Sequence, residues 1–196
     1  MVSNQIEGRI LKSNRGSFFF AEDFVNLGTS ENIRQILSRL VKEGVLDRVA
    51  PGIYLKSKKD PILGIIHPNL DEIAREIAKR DKARITPTGV MALYLLGLTT
   101  QIPLKVVYLT DGSPREIKIG NRAIKFKNAA PKNFAIKDNM LQLVVQAFKE
   151  VGHKELNAVF LERIKPTVAK IDKNVFDNQL RYTAVWIQKE VYKLYK

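Results

Sequence analysis

Cysteine is absent from this chain, and that one absence removes disulfides, Cys-based zinc sites and thiol nucleophiles together. Histidine is almost as scarce. His67 and His153 are the only two, too few for a His-built metal cage. Neither sits near a nucleophile-like turn, so serine-hydrolase chemistry has no base. His67 precedes Pro68 and reads as a loop residue, and His153 follows a helix stop at Gly152. No apolar run approaches the roughly 20 residues that cross a bilayer, and the opening MVSNQIEGRI lacks the apolar core of a secretory leader. Walker A, GxGxxG and HExxH motifs are missing, as is the Gly-Ser turn with paired aspartates that a nucleotidyltransferase requires. These absences set the expectation of a cytoplasmic protein that is not an enzyme, holds no metal or cofactor and touches no membrane.

What is present in excess is positive charge. Across 196 residues, 33 Lys and Arg oppose 20 Asp and Glu, a net charge of +13. A field of that sign favours polyanions, and nothing here has the pattern of a basic amphipathic membrane anchor, so nucleic acid is the expected partner. A hydrophobic fraction of 45% is enough for a packed core.

Residues 1–60 carry the clearest pattern. Ser3 to Lys12 suits a helix with Ile6 and Ile10 on one face and Leu11 beside them, broken at Ser13-Asn14-Arg15-Gly16. Ser17-Phe18-Phe19-Phe20 reads as a short strand, and Ala21 to Leu27 as a brief helix with Phe24 and Leu27 inward. Thr29-Ser30 then supplies an N-cap. Ile33, Ile36, Leu37, Leu40 and Val41 follow at i, i+3, i+4, i+7 and i+8, a full apolar stripe closed by Gly44. The opposite face carries Asn32, Arg34, Gln35, Ser38 and Arg39, side-chain types that hydrogen-bond base edges in the major groove. Val45–Val49 and Ile53–Lys56 flank Ala50-Pro51-Gly52, the pattern of a hairpin. Helix, strand, short helix, capped helix and hairpin is the order of a winged helix-turn-helix.

Lys56-Ser57-Lys58-Lys59-Asp60-Pro61 reads as a polar linker, dividing residues 1–60 from 61–196, and Lys58 and Lys59 could reach phosphate from it. Beyond it, Asp71 to Asp81 is an amphipathic helix with Leu70, Ile73, Ile77 and Ala78 inward. Val90 to Leu96 is an apolar helix for which Thr86 is the expected N-cap, with Pro87 at the first turn. Leu104 to Leu109 is a strand. Arg115–Ile119 and Arg122–Lys127 flank Gly120-Asn121, a two-residue hairpin turn. That register sets Ile117 opposite Ile124 and Glu116 opposite Lys125. Helices are expected over Asn139–Val151, Glu155–Ile164 and Val175–Tyr195, with Trp186 and Tyr192 as core or interface anchors. The fold class is therefore α+β: a winged helix-turn-helix, then a mixed α+β domain with a small antiparallel sheet and C-terminal helices. Residues 1–60 hold 10 Lys/Arg and 7 Asp/Glu, whereas 61–196 hold 23 and 13, so the second half is the more basic. Lys105, Arg115, Lys118, Arg122, Lys125 and Lys127 form its expected basic patch.

The run GSFFFAEDFVNLGTSENIRQILSRLVKEGVLDRVAPGIYLK resembles the winged-helix region of AbiEi-type antitoxins of type IV toxin–antitoxin systems. RITPTGVMALYLLGLTTQIPLKVVYLTDG and REIKIGNRAIKF are similar to the α+β domain that follows in one branch of that family, so the resemblance spans roughly residues 3–135. It implies a sequence-specific DNA-binding transcriptional repressor that autoregulates its operon from an operator upstream of its own gene. It also implies a nucleotidyltransferase-like toxin as functional partner, with direct contact left open, and it is compatible with a homodimer on double-stranded DNA. Asn32, Arg34, Gln35, Ser38 and Arg39 would then read bases, while Ser30, Arg48 and Lys56 would hold phosphates. Two alternatives remain: a stand-alone winged-helix regulator whose C-terminal domain dimerises or senses a ligand, and a metal-dependent nuclease built on Asp111, Glu116 and Lys118.

Overall fold

In the computed structural model, which describes residues 2–195 apart from the side chain of Lys59, the chain is mixed α+β and forms two compact units. One unit ends at Ile73 and the other begins at Ala74. The first opens with α1 (Val2–Lys12), β1 (Phe18–Phe20) and a 3-10 turn over Ala21–Phe24. It continues with α2 (Ser30–Lys42), β2 (Asp47–Ala50) and β3 (Ile53–Leu55). Ile6 and Ile10 of α1 are fully buried, but Leu11, expected beside them, points to solvent. Thr29 caps α2 through its hydroxyl, which accepts the N–H of Asn32, and Gly44 ends it at a φ of +70°. The buried stripe of α2 is Ile33, Ile36, Leu37 and Leu40, packed with Ile6, Ile10, Phe19, Phe24, Leu46 and Tyr54; Val41 lies at its margin.

The short helix expected over Ala21–Leu27 is a single 3-10 turn over Ala21–Phe24, at whose start the Asp23 carboxylate accepts the Phe20 N–H. Phe24 is buried as expected, and Leu27 only partly. The three strands form one antiparallel sheet in the order β1-β3-β2, joined at Pro51-Gly52. The central strand β3 buries all three of its residues.

The expected linker is not irregular. Lys58–Asp60 is a strand, β4, paired antiparallel with β5 (Gly64–Ile66), and the Asp60 carboxylate shapes the tip by accepting the N–H groups of Ile62 and Leu63. Pro61 ends the expected linker in sequence, yet it opens the turn of this hairpin at residues 61–63. The division between units falls beyond it, inside α3 (Leu70–Arg80), and not at residue 60.

The second unit contains β6 (Ile85–Pro87), α4 (Val90–Leu95), β7 (Lys105–Thr110), β8 (Arg115–Ile119) and β9 (Arg122–Asn128). Four helices follow: α5 (Asn139–Val151), α6 (Ala158–Val168), α7 (Lys173–Gln179) and α8 (Val185–Tyr195). The sheet order is β6-β7-β9-β8. It is mixed and not antiparallel as expected, because β9 inserts between β7 and its own hairpin partner β8, which makes β7 and β9 parallel. The β8–β9 register is the one read from sequence, with Ile117 opposite Ile124 and Glu116 opposite Lys125.

Thr86 is not a helix cap. A residue before proline is driven to extended backbone, and Thr86 pairs with Leu109 in the edge strand β6, fully buried. An edge position tolerates Pro87, which has no N–H to give. The N-cap of α4 falls instead on Gly89, at φ +63° and ψ −148°. Of the C-terminal helices, α5 has the expected bounds, and α6 is capped by Asn157 and lies a few residues later than expected. The span expected as one helix, Val175–Tyr195, falls in two helices parted by a 3-10 turn at Leu180–Tyr182. Their core joins Leu141, Val144, Val145 and Phe148 of α5 with Ile164, Phe176, Ile187 and Val191. Trp186 packs against that core and contacts Phe148. Tyr192 meets Phe176 edge-on and stays partly exposed. Among the described residues no helix is long and apolar enough to cross a membrane.

Two glycines test this description. Gly89 occupies a region of backbone space that side chains avoid, and a Cβ there would meet the Glu150 carboxylate at 3.4 Å. Gly89→Ala is expected to cost about 1–3 kcal/mol in urea unfolding. Gly8, inside α1 with open space around it, should do the reverse, Gly8→Ala gaining about 0.4–1 kcal/mol.

Candidate nucleic-acid interface

Burial of one face of α2 leaves the other in solvent. Ser30, Asn32, Arg34, Gln35, Ser38 and Arg39 are all exposed, so the sequence places the whole expected reading set on one accessible surface. The structure then separates these residues by what they already hold. Arg34 has no hydrogen-bond or ion-pair partner among the described residues, and its guanidinium is free to donate. Gln35 makes only a long contact to Glu31, 3.4 Å. Asn32 uses its backbone N–H for the cap and keeps its amide.

Arg39 is different. Its guanidinium bonds Glu7 and Ser3 of α1 and, at 3.0 Å, Glu43 one turn on. Ser3 in turn donates to Glu7 at 2.6 Å. These partners hold the Glu7 carboxyl below the usual glutamate range, first through the Ser3 hydroxyl and then through Arg39. Arg39 therefore ties α2 to α1, and its guanidinium is already engaged within the protein where that of Arg34 is not. The sequence shows it only as one more polar residue on the outer stripe, since Glu7 is 32 positions away.

Lys56 is likewise engaged within the protein. Its ammonium donates to the carbonyls of Ile10 at 3.0 Å, Leu11 at 2.8 Å and Ser13 at 2.8 Å. These carbonyls lie at and just past the C-terminal end of α1, where a cation also complements the helix dipole. Lys56 thus helps to close the helix. Arg48, on β2 opposite Tyr54, is exposed and unpaired among the described residues. Lys58 is exposed, its stem lying over Gly16, where a Cβ would meet it at 2.6 Å. The side chain of Lys59 lies outside the described ones.

The expected basic patch of the second unit divides between the two faces of its sheet. Strand alternation and the observed registers put Lys105, Lys118, Lys125 and Lys127 on one face. Arg115 and Arg122 fall on the other, where Arg115 pairs with Asp81 and lies over the Phe126 ring. On the lysine face, Glu116 meets Lys105 at 2.7 Å and not its cross-strand neighbour Lys125. The central strand carries only the small Ala123 opposite Lys105. Lys105 holds the Glu116 carboxyl below its usual range, with Lys125 and Lys118 contributing charge.

Asp111 and Glu116, the carboxylates of the nuclease alternative, have different partners. Asp111 accepts from Arg84 at 2.7 Å, which lowers its pKa, while Glu116 holds Lys105. Among the described residues no group of three His, Asp or Glu side chains stands close enough to hold a metal ion. Sequence reasoning missed Gln146 and Lys149 of α5, which share a cavity with Lys105 and Lys127. The available signal was Gln142 and Gln146, four apart in an otherwise apolar helix.

Fold and surface together define a two-unit α+β protein that presents one polar helix face and one lysine-rich sheet face. The chain belongs to DUF6088, a family of unknown function, which matches residues 5–176. No curated protein matches it. Among solved structures it is similar to the crystal structure of RV2827C protein from Mycobacterium tuberculosis, at 12% identity and a TM-score of 0.48, over 99% of this chain and 75% of that one.

The two arginines of α2 are expected to respond differently. Arg39→Ala should lower the melting temperature, whereas Arg34→Ala should leave it unchanged. Because the Glu7 pKa is depressed in the folded state, the clamp's contribution is full above the ordinary glutamate value. It is lost as pH falls through the depressed one. The stability gap between the parent and Arg39→Ala, followed by thermal unfolding from neutral to acidic pH, should therefore close on acidification.

Proposed function

We propose that this chain is a sequence-specific DNA-binding transcriptional repressor whose first unit is a winged helix-turn-helix. The observation that carries the reading is α2. It is a capped helix, buried along one stripe, that offers Asn32, Arg34, Gln35 and Ser38 on the other, beside a sheet whose last two strands form a short hairpin. Arg, Asn and Gln are the side chains that pair bidentately with guanine and adenine in the major groove. In this reading Arg34, Asn32 and Gln35 read bases, Ser38 supports them, and Arg39, at the edge of the same face, fixes the helix against α1. Arg48 on the hairpin and Ser30 at the helix start hold phosphates. The exposed Lys118 and the half-buried Lys125 of the four-stranded sheet supply sequence-independent charge.

The resemblance to AbiEi-type antitoxins supports a narrower role: autoregulation of an operon that also encodes a nucleotidyltransferase-like toxin. The net charge of +13 favours association with duplex DNA in either role.

The test is binding to a duplex from upstream of the gene, against a scrambled duplex, over a salt series. A preference of about a hundredfold or more that survives moderate salt is expected of an operator; equal and steeply salt-sensitive binding to both would refute sequence-specific repression. Arg34→Ala should cost about 1–3 kcal/mol on the upstream duplex and relax the preference at one position. Lys118→Ala with Lys125→Ala should weaken both duplexes alike and lower the log–log salt slope by about 2.

A further inference from the structure

A cavity of about 290 Å³ lies between the lysine face of the four-stranded sheet and the α4–α5 pair. Its charged and polar lining comes from Lys105 and Lys127 of the sheet, Gln146, Lys149 and Glu150 of α5, and Thr88 before α4. We propose that this cavity binds a small organic phosphate, a monoester whose dianion sits between Lys127 and Lys149 and whose hydroxyl or amine groups meet Gln146 and Glu150.

Four observations lead there. First, the charge is unmatched. Lys105 is already neutralised by Glu116 at 2.7 Å, but Lys127 and Lys149 have no acidic partner among the described residues. With Lys132 beside Lys149 and Glu150 counted against them, the site keeps a net charge of +2, the complement of a phosphate monoester and not of a monocarboxylate.

Second, an uncommitted amide faces the cavity. Gln146 is 5% exposed as a residue, lines the cavity, and its side-chain amide makes no hydrogen bond among the described residues, so it is available to a ligand there. Thr88 differs, since its hydroxyl donates to the Val107 carbonyl and retains only acceptor capacity.

Third, Lys149 is held below the usual lysine range by desolvation, with the charge of Lys132 adding to it, although the residue as a whole is exposed. An anion in the cavity relieves both effects. Fourth, the size selects. The volume stands at the lower limit of small-molecule pockets, which admits a sugar phosphate or a mononucleotide and excludes a duplex. The inference therefore does not rest on the DNA-binding reading, and neither its success nor its failure bears on α2.

The experiment is calorimetric titration and thermal shift of the full chain, without DNA. The probes are inorganic phosphate, ribose 5-phosphate, adenosine monophosphate and succinate, with sodium chloride at matched ionic strength. Saturable binding of at least one phosphate ester is expected, weakened about tenfold or more (about 1.4 kcal/mol) by Lys149→Met and by Gln146→Leu. Lys165→Met, on the exposed side of α6, should bind as the parent does. Affinity should fall as pH rises through the lowered Lys149 value, since the charged form is the one that binds. Lys149→Met removes an unmatched charge, so the unliganded variant should melt no lower than the parent, which separates lost binding from lost fold. No saturable shift with any phosphate, equal shifts in the variants, or an equal response to succinate or sodium chloride would overturn the proposal.

Discussion

The first unit depends on burying one stripe of a single helix. Ile33, Ile36, Leu37 and Leu40 of α2 are almost completely removed from solvent, each contributing about 1.5–3 kcal/mol of burial relative to exposure. No other orientation of α2 buries the four together. Once they face inward, the residues between them must face out, and Asn32, Arg34, Gln35 and Ser38 become a surface without further instruction. The sheet serves the same end. Its middle strand β3 is buried at every residue and pairs with both neighbours, closing the floor on which Phe19, Leu46 and Tyr54 meet the helix.

Charged side chains do two different jobs in this unit, and their burial class does not tell them apart. Arg34 and Arg39 are both exposed, yet one is free and the other is committed to Glu7, Ser3 and Glu43. Lys56 and Lys58 are near neighbours, yet Lys56 satisfies three carbonyls at the end of α1 while Lys58 stays in solvent. A basic residue near a proposed DNA surface is therefore counted as a DNA ligand only after its own carbonyl and carboxylate neighbours have been counted. By that count Arg34, Asn32, Gln35, Ser38, Ser30, Arg48 and Lys58 of the expected set have side chains not engaged by a close partner among the described residues.

In the second unit the decisive constraint is the insertion of β9 between β7 and β8. It makes the sheet mixed and aligns Lys105 with Ala123 and Leu109 with Lys127 along parallel strands. Lys105, Lys118, Lys125 and Lys127 then share one face while Arg115 and Arg122 share the other. The α4–α5 pair adds Gln146 and Lys149 at the lysine face, which converts part of a charged surface into a cavity.

Local pattern was enough for a definable part of this protein. The 3.6-residue stripe of α2, its Thr29 cap, the β2–β3 hairpin and the β8–β9 register all rest on interactions within a few residues or across one short turn, and they stand in the structure as read. The failures share a cause of the opposite kind. Thr86 looked like a cap because Pro87 follows it, but the edge of β7 offered it a strand partner. Lys58–Asp60 looked like a linker until Gly64–Ile66 folded back onto it. The parallel pairing of β7 with β9, the Glu7–Arg39 clamp and the cavity at Gln146 join positions far apart in the chain. Periodicity carries no record of such pairings, because each is selected by which surfaces meet after the elements have formed. Sequence alone thus determined which helix face is polar and where the hairpins turn; tertiary structure decided which of those polar side chains are free to bind anything.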